Sequence, residues 1–259
     1  MPNKIPIYTI QFLDISFNNR NEFLNHIHKH VFEIALQQQQ LFKEQGCDAE
    51  YFHTNKVAQN NVPKLINCFI HENVFTIRAY TKKGVNTLKF WYKLYKKIHP
   101  TYCKDVRKSK ETYTLKAEDD SIYTYSSKNW VAFNNVKYKD KKYYENGNIV
   151  NFRSKIIGHI RTFLRDLEID NSNFKLKIAL EKEPTKHQIF TALQTVKGVK
   201  LNPIKLFSFN IQFSTNYKLP QLFSMGKKVG YGTGVFMRDN SKTIYHETPK
   251  VNAKPIKKE

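Results

Sequence analysis

The residues best suited to chemistry lie near the end of the chain. Only nine glycines occur in 259 residues, and four of them fall within Gly226-Lys227-Lys228-Val229-Gly230-Tyr231-Gly232-Thr233-Gly234. Glycine clusters where the backbone must take positive φ or lie close against another group. Consecutive N–H groups exposed by such a turn suit phosphate oxygens, and two adjacent lysines add charge. The stretch reads as a cradle for a nucleic-acid backbone, with Val229 to Met237 leaving it as a strand. The alternative is a glycine-rich hairpin whose lysines are merely solvated. Neither common nucleotide pattern fits, because no Ser or Thr follows a Walker lysine and no G-x-G-x-x-G opens a helix.

Other reactive side chains are scattered. His26, His28 and His30 are close in sequence, but i and i+2 diverge on a helix, which argues against a three-histidine metal site. His28 borders the apolar stripe of its helix, and His26 lies opposite. His159 falls on a buried helix region and His71 in a turn. Cys47, Cys68 and Cys103 form no C-x-x-C pair, so neither a zinc site nor a disulfide framework is expected, and reduced thiols in a cytoplasmic protein fit better. No metal or cofactor is expected.

The composition narrows the partner. Forty-three Lys+Arg against 22 Asp+Glu give a formal charge of +21, and 14% of residues are aromatic. Neutralising phosphates releases counterions, so such a surplus points to a polyanion. Interleaved aromatics suit unpaired bases, which stack on Tyr, Phe and Trp. The plainer alternative is the basic drift of a Lys-, Asn- and Ile-rich proteome. No secretory h-region follows Met1, and no run approaches the ~20 apolar residues of a membrane span. Lys82 to Lys97 has a basic and an apolar face, as a membrane-surface or calmodulin-target helix would, but its stripe is no wider than an ordinary core face.

The elements that must position these residues follow from periodicity. Ile5 to Asp14 reads as a central strand, with Ile5, Ile7, Thr9 and Gln11 on one side and Tyr8, Ile10 and Phe12 on the other. Glu22 to Gln45 is an amphipathic helix. Leu65 to Ile70 and Val74 to Tyr80 form a hairpin about His71-Glu72-Asn73. Gly84 to Ile98 is a second helix, ended by His99-Pro100, and Thr112 to Glu118 supplies a last strand. The pattern then restarts. Ile122 to Ser126 is a strand, and Asn129 to Tyr144 an irregular exposed connection. Ile149 to Leu167 is a helix with Ile149 inward and Arg153, Lys155, Arg161 and Arg165 projecting from its other sides. Phe174 to Leu180 is a strand broken by Glu183-Pro184, His187 to Val196 a short helix, and Leu206 to Phe213 a further strand. The prediction is an α+β protein of two tandem ferredoxin-like (βαββαβ, RRM-like) domains, spanning 1–119 and 120–240, with a loose basic tail over 241–259.

The segment Asn216-Tyr217-Lys218-Leu219-Pro220-Gln221-Leu222-Phe223-Ser224-Met225-Gly226-Lys227-Lys228-Val229-Gly230-Tyr231-Gly232 resembles the C-terminal glycine-rich loop of the CRISPR-associated endoribonucleases that cut precursor crRNA, members of the repeat-associated mysterious protein (RAMP) superfamily. Trp130-Val131-Ala132-Phe133-Asn134-Asn135, ahead of the helix with Lys155-Ile156-Ile157-Gly158, is similar to the same family. So is Tyr51-Phe52-His53 ahead of Pro63-Lys64-Leu65-Ile66. The match covers most of the chain in outline, and only the loop is specific.

That resemblance implies binding of CRISPR repeat RNA and metal-independent cleavage, in which a 2′-OH attacks the adjacent phosphorus and leaves a 2′,3′-cyclic phosphate and a 5′-OH. Such chemistry needs proton transfer, for which histidine suits neutral pH, and a cation for the developing charge. It implies a catalytic histidine in the first domain. His53, with Tyr51 and Lys56, is the first candidate set and His28 the second, although relatives often carry another histidine where Lys56 stands. The implied RNA-holding set is Gly226, Lys227, Lys228, Gly230, Gly232 and Gly234, joined by Arg153, Lys155, Arg161 and Arg165. Precursor crRNA is the expected partner, CRISPR effector subunits are possible ones, and the chain is expected to be a monomer or homodimer. A non-catalytic RNA-binding subunit of the same superfamily is the alternative.

Overall fold

The computed structural model describes residues 4–52, 62–117, 122–133, 136–170, 175–196, 199–226 and 232–239. Candidates His53, Lys56, Lys227, Lys228 and Gly230 lie outside them, as does the expected tail.

The first half begins with strand β1 (Lys4–Phe12). A helical segment follows, made of α1 (Arg20–His26), a π-helical stretch Ile27–Phe32, α2 (Glu33–Gln37) and, after a break at Gln38, α3 (Gln39–Glu44). A 3-10 turn at Ala49–Phe52 precedes the hairpin β2 (Ile66–His71) and β3 (Val74–Tyr80). Helix α4 (Thr81–Ile98), a second 3-10 turn at Pro100–Cys103 and β4 (Val106–Thr114) complete the half. The sheet order is β2-β3-β1-β4 with every pair antiparallel, a split β-α-β-β-α-β arrangement.

Strand β1 is central and buried on both faces, as its alternation predicts. Tyr8, Ile10 and Phe12 face a core with Phe75, Trp91 and Tyr95 under the helices. Ile5 and Ile7 join Tyr80 and Tyr113 in a second core shared with the other half of the chain. The hairpin turns at Glu72 and Asn73, both at positive φ, the geometry a two-residue turn needs to match strand twist.

The second half opens with β5 (Lys116–Ala117) and β6 (Tyr123–Trp130). A small meander follows: β7 (Val136–Lys139), β8 (Lys142–Glu145) and β9 (Asn148–Ile149). Helix α5 (Phe152–Asp166) leads to β10 (Ile178–Leu180), β11 (Thr185–Val196) and β12 (Val199–Thr215). Strands β13 (Tyr217–Lys218), β14 (Leu222–Ser224) and β15 (Val235–Arg238) end the described chain. The main sheet runs β10-β12-β6-β15-β14, with β11 beside β12.

Four expectations are corrected here. His187 to Val196 is strand, not helix, because it pairs along Val199 to Asn210 of β12, and ladder pairing outweighs a short helical spacing. Asn129 to Tyr144 is neither irregular nor exposed throughout, since it holds the end of β6 and the β7–β8 hairpin, and Trp130 to Phe133 are buried. Ile149 is 60% exposed, because α5 starts later, where the Asn151 side chain accepts from the Ser154 N–H at 3.0 Å. A second complete β-α-β-β-α-β unit is also not what the described residues form, since no helix stands between β12 and β15.

A buried arginine is one of the ties between the halves. Arg78 on β3 is buried, donates from Nε to Thr9 Oγ1 at 2.9 Å and pairs with Glu111 at 2.6 Å. It also donates from Nη1 to the carbonyl of Leu222 on β14.

Candidate functional site

The glycine-rich loop is anchored by Asn129 of β6. The Asn129 carbonyl accepts from the Gly234 N–H, and its side-chain amide donates to the Gly232 carbonyl, both at 3.1 Å. The Met225 N–H closes the neck on the Gly234 carbonyl at 2.9 Å. Gly232 has φ +69°, and a Cβ there would stand 2.6 Å from the Phe23 ring, so no other residue fits without displacing that ring. The loop's exit therefore rests on α1 of the first half, at Phe23. At the loop's entrance, Gly226 (φ +111°) lies against the Trp130 indole. Two of the segments that carried the sequence resemblance thus touch.

One helical turn beyond Phe23 lies a cluster of imidazoles. His26 and His30 are i and i+4, so they share a side, and their ring centroids are 4.8 Å apart. His99, just past the end of α4, is held by its own N–H on the Tyr95 carbonyl at 2.7 Å. Its ring meets His30 edge to face at 4.6 Å, with His99 Nε2 3.2 Å from His30 Nδ1. Tyr95 Oη is 3.2 Å from His26 Nε2, and Tyr102 packs against both His26 and His30.

His26 is only 8% exposed, which corrects its placement on the helix's outer side. That side is covered, because Phe17 and Phe75 flank the ring and the residues after α4 close over it. The helix is π-wound at this point, with the Glu33 N–H reaching back to the His28 carbonyl. The Trp91 indole N–H takes the Val31 carbonyl at 3.1 Å. A π turn is a local departure often found at functional positions.

The cluster is held towards its neutral form. Burial, with His30 and His99 adding to it, pushes His26 down to about 4. His30 is lowered by burial and then by His99 and Lys29, with Glu33 opposing. His99 is lowered by burial. Neutral imidazoles are the result near pH 7, each able to give a proton at one nitrogen and take one at the other. His30 and His99 are half-buried, while His28 is exposed and edges Phe32. Among the described residues no three His, Cys, Asp or Glu side chains converge as a metal site.

The remaining candidates are dispersed. Tyr51 is half-buried in the 3-10 turn, its hydroxyl raised by burial and then by Asp48, with Lys83 opposing. Lys83 belongs to the first turn of α4 and Tyr95 to the last, about 18 Å apart at the helical rise. Tyr51 is therefore not brought to the imidazoles. On α5, Arg153, Arg161 and Arg165 are exposed. Lys155 is half-buried and paired with Glu145 of β8. Sequence reasoning singled out neither His30 nor His99. The usable signal for His99 was its position before Pro100 at a helix end, but only the fold shows that this end meets the middle of the first helix. Asn129 was missed too, and carried no signal beyond its place in the Trp130 segment.

The fold is similar to that of solved Cas6 structures. The chain is similar to a crystal structure of Cas6b (16% identity, TM-score 0.54) and to one of the CRISPR RNA processing endoribonuclease Cas6b (18%, 0.52). It is also similar to Csf5, a CRISPR-Cas type IV Cas6 crRNA endonuclease (12%, 0.57). Each alignment covers 92% of this chain and 100% of the other. At such identities the likeness is one of fold. No family model matches the chain, and no curated protein matches it. Among the described residues no helix is long and apolar enough to cross a membrane.

Proposed function

We propose that this chain is a metal-independent endoribonuclease that binds CRISPR repeat RNA and cuts precursor crRNA, built as two tandem ferredoxin-like (RRM-like) domains over 1–119 and 120–240, the second with the glycine-rich connection in place of its second helix. The observation that carries the reading is the seating of Gly232 against Phe23. It supports the reading because the exit of the glycine-rich loop lies one helical turn from the imidazoles of the other half.

In this reading the loop glycines with Lys227 and Lys228 hold the RNA backbone, and Arg153, Arg161 and Arg165 extend the basic path. Lys155 is the weakest of the proposed contacts, since Glu145 already takes its charge. A neutral imidazole at His30 accepts the 2′-OH proton as O2′ bonds to phosphorus. The P–O5′ bond breaks, and a second proton donor protonates the leaving 5′-oxygen. His99 Nε2, 3.2 Å from His30 Nδ1, orients the His30 ring and leaves its Nε2 for the substrate. The set His53, Tyr51 and Lys56 is the competing assignment for proton transfer, with exposed His28 beside it. The protein acts in the cytoplasm as a monomer or homodimer, and CRISPR effector subunits are candidate further partners.

Incubation of the protein with repeat RNA in EDTA tests this. The expected products end in a 2′,3′-cyclic phosphate and a 5′-OH. Tight binding with intact RNA would replace the enzyme by a non-catalytic RNA-binding subunit.

A further inference from the structure

A cavity of about 90 Å³ opens where the glycine-rich loop leaves β14. Phe163 and Met225 form apolar walls, Lys64, His159, Thr162, Asp166 and Ser224 supply polar groups, and Gly226 completes the lining. We infer that this cavity receives one unpaired nucleobase of a bound RNA strand. The inference rests on the proposed RNA binding but needs no cleavage.

One polar atom of the lining, Ser224 Oγ in a side chain 4% exposed, lacks a hydrogen-bond partner among the described residues. Buried donors and acceptors are nearly always satisfied in native proteins, so this hydroxyl calls for a polar guest. The Asp166 carboxylate in the same lining favours a guest that also donates. Asp166 Oδ2 accepts from the Lys64 N–H at 3.3 Å and Oδ1 lies 3.7 Å from the Arg165 guanidinium, which leaves lone pairs on both oxygens. A base edge offers what both sides need: N–H groups for Asp166 and a carbonyl or ring nitrogen for Ser224. Its ring faces suit Phe163 and Met225. The volume is that of about three water molecules, enough for the edge of a base, so ribose and phosphate stay outside. Gly226 is followed directly by Lys227 and Lys228, which places the backbone-binding loop beside the opening.

The test is an abasic scan. Repeat RNAs, each lacking one base, are titrated against the full chain. One position should weaken binding between about five-fold and a hundred-fold, the range for a single base contact. That penalty should vanish in Asp166→Asn, which keeps the shape, and in Ser224→Val. If RNA binds tightly but no position is sensitive, the cavity holds water only and the inference falls alone. It falls as well if a sensitive position is untouched by both variants, since the base is then read elsewhere. If no RNA binds at all, this inference and the proposed function fall together.

Discussion

The two halves of the molecule share one strand plan and differ in one connection. In the first, β2-β3-β1-β4 are ordered as β10-β12-β6-β15 are in the second, with every neighbour antiparallel. Between its third and fourth sheet strands, the first half has the 18-residue helix α4. In the second half the equivalent connection, from Asn216 to Gly234, holds only two short strands and the ends of the glycine-rich loop among the described residues. Where the helix is kept, its C-terminal end fixes His99 and Tyr95 against His26 and His30. Where it is lost, the chain reaches across to Phe23 of the first half. One strand plan thus yields a frame for titratable side chains in one half and a glycine-rich arm in the other.

The sharpest way to break this contrast is to remove the group that the helix frame presents. His30→Ala should slow single-turnover cleavage of repeat RNA about 10²- to 10⁴-fold, the usual weight of general acid–base catalysis. RNA affinity should stay unchanged, because holding is assigned to the other half. If His30→Ala cleaves normally while His53→Ala does not, the chemistry belongs to the segment after the 3-10 turn, and the imidazole cluster is structural.

The seam between the halves gives the next effect. Arg78→Met removes three hydrogen bonds and leaves the Leu222 carbonyl and Glu111 without their cation. Glu111 is 44% exposed and rehydrates, but leaving the buried Thr9 hydroxyl and Leu222 carbonyl without their charged donor should cost about 3 kcal/mol, lowering Tm by roughly 6–12 °C for a chain of this size. Lys83 and Glu168 also join the halves, at 2.6 Å, but both side chains are about 60% exposed. Lys83→Ala should leave Tm within error in the same calorimetric series, since exposed pairs contribute little.

Much of the frame could be read before folding because it is local. The two-faced alternation of β1, the hairpin turn at Glu72-Asn73 and the stripe of α4 each sit within one element. The break at Glu183-Pro184 was readable as well, and falls between β10 and β11. The failures are non-local. Ile189, Ala192, Leu193 and Val196 repeat at helical spacing, yet their segment is strand because the 17-residue β12 lies beside it. The β7–β8 turn uses Asp140 and Lys141 at positive φ, without glycine, so it left no mark in the sequence. The imidazole cluster was hidden for the same reason. His30 and His99 are separated by a hairpin and a helix, and they meet only because both helical segments pack on the same side of one sheet.

The smallest effect separates the titratable first core from the second, whose centre is built from Tyr125, Trp130, Phe209, Phe213 and Phe236. Burial holds folded His26 near 4, below its ordinary 6.5. Between those values the unfolded chain binds more protons than the folded one, so stability rises with pH. The contribution of His26 is complete above about pH 6.5 and is lost as pH falls towards 4, for a total of about 2–3 kcal/mol. His30 and His99 are lowered too and add in the same direction. His26→Phe keeps an aromatic ring among Phe17, Phe75 and Tyr102 but removes the titration. It also strands the Tyr95 hydroxyl, a cost independent of pH in this range. Urea midpoints measured from pH 4 to 7 should therefore rise steeply for the native chain and more gently for the variant. Parallel curves would mean that the His26 ring is open to water and protonates as it does in the unfolded chain, and the helix frame would then lose its distinction from the other half.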